Sequence, residues 1–484
     1  DYFQFIQSHP GLVGGLLWEW CDHGIYKGKA QDGRSIFYYG GDHGEWPNDG
    51  NFCMDGLVYP DRRPHTGLLE FKNIYRPARV THYDQSTGTL TLHNYMDFVD
   101  LTDYATLSYE LNCDGQVVSA GSVPFPGGFR LPPHADGTLP LPLDVPAKGK
   151  CFVNICYHCK QDSALIKADH LLGFDEIPLQ NSDPRNQDAV QLLGRPAGDG
   201  LITIRETDRM LVLSCEQFTY VFNKLTGLFD KMTFANEPLL DQPMGFNVWR
   251  APTDNDRKLK ADWYAAHYDH AATNAYHTEY TVTASGVTLH THVGIAAICV
   301  QKFLDLDVTW TVANNGSVDL ALHAQRNTVF PELPRFGLRL FLPQEMSQVN
   351  YYGMGPMECY CDKHHAASHN SYTATVWQLH EDYIRPQENG SHFDCDYVML
   401  AGDAVRLTAV GTQPFSFNAS HYTQEELTRK AHNYELEPCG STVLCLDYAQ
   451  NGIGSESCGP RLLEQYRLDD ATFNFGLRLF PEKK

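Results

Sequence analysis

The chain has 484 residues, which corresponds to about three domains because a single hydrophobic core rarely serves more than ~250 residues. Its 59 acidic and 37 basic residues leave a net charge of −22 at pH 7, which excludes the basic surface of a nucleic-acid-binding protein. The 42% hydrophobic content excludes a disordered chain. Because the sequence has no apolar run of about 18 residues and no signal-peptide pattern, we expect a globular cytoplasmic protein with no membrane contact.

Residues 1–75 are predicted to alternate helices with buried strands. The spacing of apolar residues favours a helix over residues 2–10, and the apolar run 12–17 is typical of a strand that is covered on both faces of a parallel sheet. A second strand is expected at 36–39, followed by a helix after Pro64. Two such units are typical of an α/β barrel. Because a barrel needs eight units, we expect the chain to begin inside one, or to contain a much smaller α/β cap.

Residues 76–178 change to the period of two that is typical of half-buried strands. Apolar and polar side chains alternate over 107–111, a turn is expected at 114–115, and Cys151–Cys159 is a further strand. Short strands separated by Pro and Gly turns over this length predict an immunoglobulin-like β-sandwich.

A polar, turn-rich linker is expected at 179–199, before a block of strands at 200–484. The block has no detectable repeat, so a large β-sandwich is favoured over a propeller. The clearest elements are strands at 210–215, 218–223, 282–287 and 303–312, and helices near 262–272 and 424–430. The predicted fold class is mainly β, with a C-terminal fragment of an (α/β)8 barrel followed by two β-sandwiches.

The densest candidate site is the loop YYGGDHGEWPNDGNFCMDG at residues 38–56. Aromatic rings can stack on the apolar faces of a sugar, while carboxylates and amides bind its hydroxyl groups or a hard cation. The alternative is a turn-rich loop whose Asp and Asn side chains satisfy its own backbone. For the cluster together with Trp18, we favour sugar binding.

Glu19, at the end of the first expected strand, is a second candidate. Hydrolysis of a glycosidic bond needs two carboxyl groups roughly 5–9 Å apart, and Glu19 could be one of them or could instead anchor the strand end. The 14 cysteines are too sparse for a disulfide scaffold and are expected to be reduced. Neither Cys156 with Cys159 nor Cys359 with Cys361 completes a zinc-ligand pattern.

At these motifs the sequence resembles glycoside hydrolase family 2, in particular its large bacterial β-galactosidases. The matching motifs follow the same order along essentially the whole chain: GGLLWEWCDHG (14–24), YGGDHGEWPNDGNFCMDGLVYPDRRPH (39–65), WRAPTDND (249–256), YYGMGPMECYCDK (351–363), RPQENG (385–390), FNASHYTQEEL (417–427) and LDYAQNGIGSESCGP (446–460).

The resemblance implies that residues 1–75 form the last part of the catalytic barrel, 76–178 the sandwich after it, and 200–484 the large C-terminal β-sandwich. It implies retaining hydrolysis of terminal, non-reducing β-D-galactosides such as lactose, through a covalent glycosyl-enzyme. It also implies magnesium and sodium ions as cofactors and a homo-oligomer, often a tetramer, for the complete enzyme.

Residue by residue, Trp18 matches the tryptophan that lines the galactose pocket of the family. The backbone carbonyl of Phe52 and the side chain of Asp55 match the positions that hold a sodium ion near the galactose O6. Asn48 matches a position associated with a second magnesium ion. Glu19 matches a position that the family does not use as a catalytic carboxylate.

The sequence departs from the family in three ways. The best-known members have Asn at the position of Asp55, and a tryptophan that contacts the second sugar is replaced by Cys458. The nucleophile, the acid/base glutamate and the main magnesium ligands of the family align before Asp1. We therefore predict that these 484 residues alone have no galactosidase activity and need an N-terminal half as partner.

Three alternatives remain. The chain could be a non-catalytic carbohydrate-binding protein that uses the surface around Trp18 and Phe52, or a subunit that complements a separate N-terminal half. A third reading is another family 2 specificity, such as β-glucuronidase, which the match in the C-terminal sandwich disfavours.

Overall fold

The computed structural model describes residues 2–179, 184–454 and 457–484. Strands form most of the regular structure, which confirms the mainly β fold class. The chain divides into two compact units. Unit 1 comprises Asp1–Gln187 and His365–Asn370, and unit 2 comprises Asp188–His364 and Ser371–Lys484. Within the described residues, no helix combines the length and the apolar character needed to cross a membrane.

The first part of unit 1 carries two helices and one hairpin. Its elements are α1 (Tyr2–Ser8), β1 (Ile25–Lys29), β2 (Ser35–Tyr38) and α2 (Thr66–Ile74). The helices predicted at 2–10 and after Pro64 are confirmed. β1 and β2 pair with each other as an antiparallel hairpin, so the prediction that 36–39 is a parallel strand is wrong.

The parallel strand predicted at residues 12–17 is also wrong. The structure assigns no strand to this segment, and the side chains of Val13 and Leu16 are fully exposed. An isolated parallel bridge joins Cys21 and Val58. The apolar run indicates side chains that favour burial, but a strand forms only where a neighbouring strand completes its backbone hydrogen bonds.

The second part of unit 1 is a sandwich of two antiparallel sheets. Its elements are β3 (Ala78–Asp84), β4 (Thr89–Asn94), α3 (Leu101–Tyr104), β5 (Ala105–Cys113), β6 (Gln116–Val123), β7 (Asp136–Pro140), β8 (Cys151–Cys159) and β9 (Leu171–Pro178). One sheet has the order β3-β4-β7 and the other β6-β5-β8-β9. Leu90 and Leu92 of the first sheet share a buried core with Leu107 and Ile155 of the second. The predicted strand at Cys151–Cys159 is confirmed.

Unit 2 is built mostly of antiparallel strands, and two of its elements, Gln187–Leu193 and Ser368–Thr375, begin with residues that belong to unit 1. In chain order the elements are α4 (Gln187–Leu193), β10 (Thr203–Glu206), β11 (Met210–Ser214), β12 (Phe218–Asn223), β13 (Leu228–Phe234), β14 (Glu237–Pro238), β15 (Gln242–Asn247), α5 (Leu259–Ala265), β16 (Ala272–Thr283), β17 (Gly286–Ala296), β18 (Leu304–Ala313), β19 (Val318–Arg326), β20 (Arg335–Pro343), β21 (Gln348–Gly355), β22 (Ser368–Thr375), β23 (Ser391–Ala401), β24 (Val405–Ser420), α6 (Gln424–Arg429), β25 (Ser441–Gln450) and β26 (Thr472–Lys483). Short 3-10 helices lie at Asp254–Asp256, Tyr268–His270, Asn433–Glu435 and Glu464–Tyr466.

These strands form a large sheet in the order β15-β20-β25-β24-β26-β19-β18-β17-β16, extended by β21 to β23, and a smaller sheet in the order β10 to β14. One hydrophobic core takes side chains from both sheets, with Trp310 set edge-to-face against Phe229. The strand predicted at 282–287 is wrong, because the turn between β16 and β17 divides it. Residues 180–183 of the predicted linker lie outside the described residues.

A buried ionic cluster lies inside unit 2. Arg335 of β20 is fully buried and forms salt bridges to the carboxylates of Glu388 and Asp447, which are also fully buried. Its guanidinium donates a further hydrogen bond to Asn418 Oδ1 at 2.9 Å. Three partners from distant parts of the sequence therefore meet at one guanidinium, and they hold β20, β24 and β25 in register.

Candidate functional site

The two segments singled out in the sequence lie side by side in unit 1. The backbone N–H of Glu19 donates to the carbonyl of Asp55 at 3.3 Å, and the N–H of His23 donates to the carbonyl of Cys53 at 2.8 Å. The N–H of Leu57 returns a hydrogen bond to the Glu19 carbonyl at 3.0 Å. The segment that carries Trp18 is thus joined directly to the end of the predicted sugar-binding loop.

The buried side chain of Asp22 stabilises this junction through hydrogen bonds. Its Oδ1 accepts the backbone N–H of Gly56 at 2.8 Å, and its Oδ2 lies 2.7 Å from His65 Nε2. The His65 ring stacks on Tyr59 with centroids 3.7 Å apart. A Cβ at Gly56 would lie 2.2 Å from the Asp22 nitrogen, so only glycine allows this close approach. Sequence reasoning missed this pair, because nothing in a separation of 43 residues indicates the contact.

Asp55 and Glu19 bring two carboxylates together at the surface of this junction. Burial raises the pKa of Asp55 above its ordinary value, and the negative charge of Glu19 raises it further. Glu19 Oε2 also lies 3.0 Å from His23 Nε2. Asp55 Oδ1 is buried and has no hydrogen-bond partner in the protein. An unsatisfied carboxylate oxygen beside a second carboxylate is the environment in which a small hard cation is favourable, so Asp55 fits the sodium role that the resemblance implies.

Asn48 is used by the loop itself. Its Nδ2 donates to the Glu45 carbonyl at 3.0 Å, and its Oδ1 accepts the N–H of Gly50 at 3.0 Å. The Glu45 carboxylate accepts the N–H groups of Gly41 and His43, and the first of these hydrogen bonds is the main cause of its lowered pKa. These contacts are those of the self-satisfied loop of the alternative interpretation, and the magnesium role of Asn48 stays a prediction.

The described residues also hold no cluster of three or more His, Cys, Asp or Glu side chains arranged for a metal ion. A sodium ion bound by one carboxylate and backbone carbonyls does not need such a cluster.

Exposed aromatic rings surround the junction. Trp18, Trp20 and Trp46 are 78%, 61% and 87% exposed, and Phe52 is 39% exposed. The peptide bond between Trp18 and Glu19 is cis. A group of large exposed aromatic rings on a protein surface usually marks a binding site, and the flat apolar faces of these rings suit the C–H face of a sugar.

Cys458 lies in unit 2 and its side chain is exposed. The neighbouring residues 455 and 456 of the same motif lie outside the described residues. The resemblance aligns Cys458 with a tryptophan, and a thiol offers no flat face for a second sugar.

Comparison with known proteins identifies the family. A profile described as "Beta galactosidase small chain" matches residues 214–479, more than half of the chain. The chain belongs to the β-galactosidases of glycoside hydrolase family 2. Two further profiles match the remainder, "Glycosyl hydrolases family 2, TIM barrel domain" at residues 1–80 and "Beta-galactosidase, domain 4" at residues 90–180.

Curated β-galactosidases match along the chain. That of Actinobacillus pleuropneumoniae is 40% identical over 483 residues, which cover 100% of this chain and 46% of that protein. The β-galactosidase of Staphylococcus xylosus is 35% identical, over 99% of this chain and 47% of its own length. That of Pseudoalteromonas haloplanktis is 27% identical, over 99% and 47%. The chain thus spans about half the length of these relatives.

Proposed function

We propose that this chain is the C-terminal portion of a retaining β-galactosidase and supplies one wall of the galactose pocket. Its substrates are terminal, non-reducing β-D-galactosides of the lactose type. The observation that carries the proposal is the junction of segments 18–23 and 53–58, because it sets an exposed tryptophan beside a paired-carboxylate site. The same residues lie in the part of the chain that matches the barrel profile of the family.

In this proposal Trp18 stacks on the apolar face of galactose, which orients the ring without a charge. Asp55 accepts a hydrogen bond from a sugar hydroxyl, and Glu19 holds the Asp55 backbone in place through the hydrogen bond to its carbonyl. Asp55 and the backbone carbonyl of Phe52 would hold the sodium ion. When bound, this ion supplies positive charge that compensates the two carboxylates.

The bond-breaking carboxylates come from the N-terminal half of the enzyme. Retaining hydrolysis requires a nucleophile and an acid/base residue about 5–5.5 Å apart, and we assign neither role to Glu19 or Asp55. The complete enzyme is proposed to be a cytoplasmic homotetramer. No step of the proposed function uses magnesium bound by Asn48.

The test is reconstitution. The chain is mixed with the N-terminal half of a family β-galactosidase, and hydrolysis of a chromogenic β-galactoside is followed. We expect no turnover by the chain alone and turnover by the mixture. In the active mixture, Trp18→Ala should raise KM and lower kcat/KM by about 10- to 100-fold, since it removes a sugar-stacking ring. The matched control Trp20→Ala, also at an exposed tryptophan, should change kcat/KM less than threefold.

Two results would refute the proposal. Turnover by the chain alone would place the catalytic carboxylates within it. Galactose binding by the chain with no turnover in any mixture would instead favour a non-catalytic carbohydrate-binding protein.

A further inference from the structure

Two cysteine thiols lie next to each other on neighbouring strands of one sheet in unit 1. Cys113 ends β5 and Cys151 begins β8, and the two residues are direct partners in the antiparallel register. Their sulfur atoms are 3.0 Å apart, closer than a van der Waals contact between two sulfurs but longer than the ~2.05 Å of a disulfide bond. Directly opposed residues of an antiparallel pair have Cα atoms about 4.5–5.5 Å apart, which lies in the range that a disulfide spans.

The backbone around the pair is firmly held. The N–H of Asp114 donates to the Lys150 carbonyl at 3.0 Å, and Asp114 Oδ1 accepts the N–H of Lys150 at the same distance. Asp114 and Gly115 have positive φ values of 51° and 83°, which form the tight turn after Cys113. Because this end of the β5–β8 ladder is closed by two hydrogen bonds, the sulfur atoms can bond with little backbone movement.

The two thiols differ in access. Cys113 is half-buried and its Sγ–H donates to the Lys148 carbonyl at 3.3 Å, whereas Cys151 is 1% exposed. An oxidant therefore reaches Cys113 first. Cys151 is then close enough to attack the Cys113 sulfur and release the group that the oxidant has left on it. This is the arrangement of an attacking and a resolving cysteine.

We propose that Cys113 and Cys151 form a reversible disulfide when the protein meets an oxidised low-molecular-weight disulfide such as oxidised glutathione. The Cys113 thiolate attacks one sulfur of glutathione disulfide, forms a mixed disulfide and releases one glutathione thiolate. The Cys151 thiolate then attacks the Cys113 sulfur, forms the protein disulfide and releases the second glutathione. The protein loses two thiol protons and two electrons, and glutathione disulfide takes up both to give two molecules of glutathione.

The bond would join β5 to β8 within one sheet of unit 1. It closes a loop across a separation of 38 residues, and removing that loop's freedom from the unfolded chain should lower the unfolding equilibrium constant of this unit by roughly a hundredfold or more. This inference is independent of the proposed galactosidase activity.

The experiment uses the 484-residue chain equilibrated with mixtures of reduced and oxidised glutathione, quenched with acid and alkylated. Mass spectrometry of the undigested, alkylated protein should show two alkyl groups fewer than on the reduced chain, and a non-reducing digest should give one peptide pair that links Cys113 to Cys151. The oxidised chain should unfold at a higher denaturant concentration than the reduced one. Cys113→Ser should abolish both the mass change and the shift.

The matched control is Cys156→Ser. Cys156 also lies on β8, but burial raises the pKa of its thiol to about 11, and its register partner is Ser108. This variant should keep the cross-link and the shift. If Cys151→Ser alters the fold, the Cys113→Ser result decides alone, because Cys113 is only half-buried.

Three outcomes would overturn the proposal. The first is a chain that keeps both thiols reduced throughout the oxidising series. The second is a stable glutathione adduct on Cys113 that does not convert to a protein disulfide. The third is a cross-link that joins other cysteines.

Discussion

Replacement of Arg335 by methionine should strongly destabilise unit 2. The guanidinium is fully buried and compensates two carboxylates, those of Glu388 and Asp447, that are themselves fully buried. Breaking a buried ion pair by removing one partner typically costs ~3–5 kcal/mol. The carboxylates could instead take up protons, but for an ordinary Asp pKa near 3.9 this costs ~4 kcal/mol at pH 7. By either route, the free energy of unfolding should fall by about 4 kcal/mol.

The pH dependence gives a second, independent prediction. Burial already raises the pKa of Glu388 and Asp447, and loss of Arg335 raises both further. A carboxyl whose folded pKa lies above its unfolded value binds more protons in the folded state, so its contribution to stability falls as the pH rises through that window. The Arg335→Met variant should therefore lose more stability at pH 7 than at pH 5, with a slope up to about 1.4 kcal/mol per pH unit for each proton.

The assay is urea unfolding followed by tryptophan fluorescence at pH 5, 6 and 7. Arg339→Met is the matched control, because Arg339 lies on the same strand and pairs with Glu425 at 2.9 Å near the surface, with side chains 21% and 52% exposed. An exposed pair contributes ~0–1 kcal/mol. The assignment of Arg335, Glu388 and Asp447 as a mutually dependent buried network is refuted by either of two results. One is a loss in free energy of unfolding for Arg335→Met that is no larger than that of the control, and the other is no added pH dependence.

Three further predictions concern single side chains. In sodium-free buffer, Asp55→Asn should be at least as stable as the wild type at pH 7. Its stability advantage should shrink as the pH falls toward 4, because the raised pKa of Asp55 lets the wild-type carboxylate take up a proton. Thermal unfolding at several pH values measures this difference, and a stability advantage that grows at low pH would contradict the prediction. Gly56→Ala should destabilise the junction at Asp22 by ~1–3 kcal/mol, because its new Cβ would clash with the Asp22 backbone. The control Gly67→Ala, whose Cβ meets nothing within 4 Å, should be neutral or stabilising. Equal effects of the two variants on chemical unfolding would refute the close-approach argument. Thr423→Ala should cost about 1 kcal/mol in urea unfolding, since the Thr423 hydroxyl caps α6 by accepting the Glu426 N–H at 3.1 Å, and an unchanged midpoint would exclude that role.

Local pattern was a reliable guide where one strand face is buried. The alternation around residues 107–111 predicted β5, and the runs at Cys151–Cys159 and Phe218–Asn223 match β8 and β12 residue for residue. In these strands the period of two arises from the same burial that stabilises the sheet. The pattern failed at 12–17, where the side chains are apolar but the structure pairs no strand with them.

The candidate site shows the same division. The composition of loop 38–56 and its neighbour Trp18 indicated a sugar-binding surface, and the structure joins the two segments. The contact of Asp55 with Glu19 and the support by Asp22 and His65 were not foreseen. These contacts depend on how two loops are folded against each other, which residue spacing does not encode.

The sequence by itself determined the family, the mainly β class and the residues that are candidates for binding galactose, because motif order and side-chain period are properties of the chain. Only the tertiary structure decided which distant side chains meet. It assembled Arg335 with partners 53 and 112 residues away, and it set the sulfur of Cys113 against that of Cys151. The physical reason is that the energies of ion pairs and covalent cross-links depend on distance and burial, and both quantities exist only once the sheets have packed.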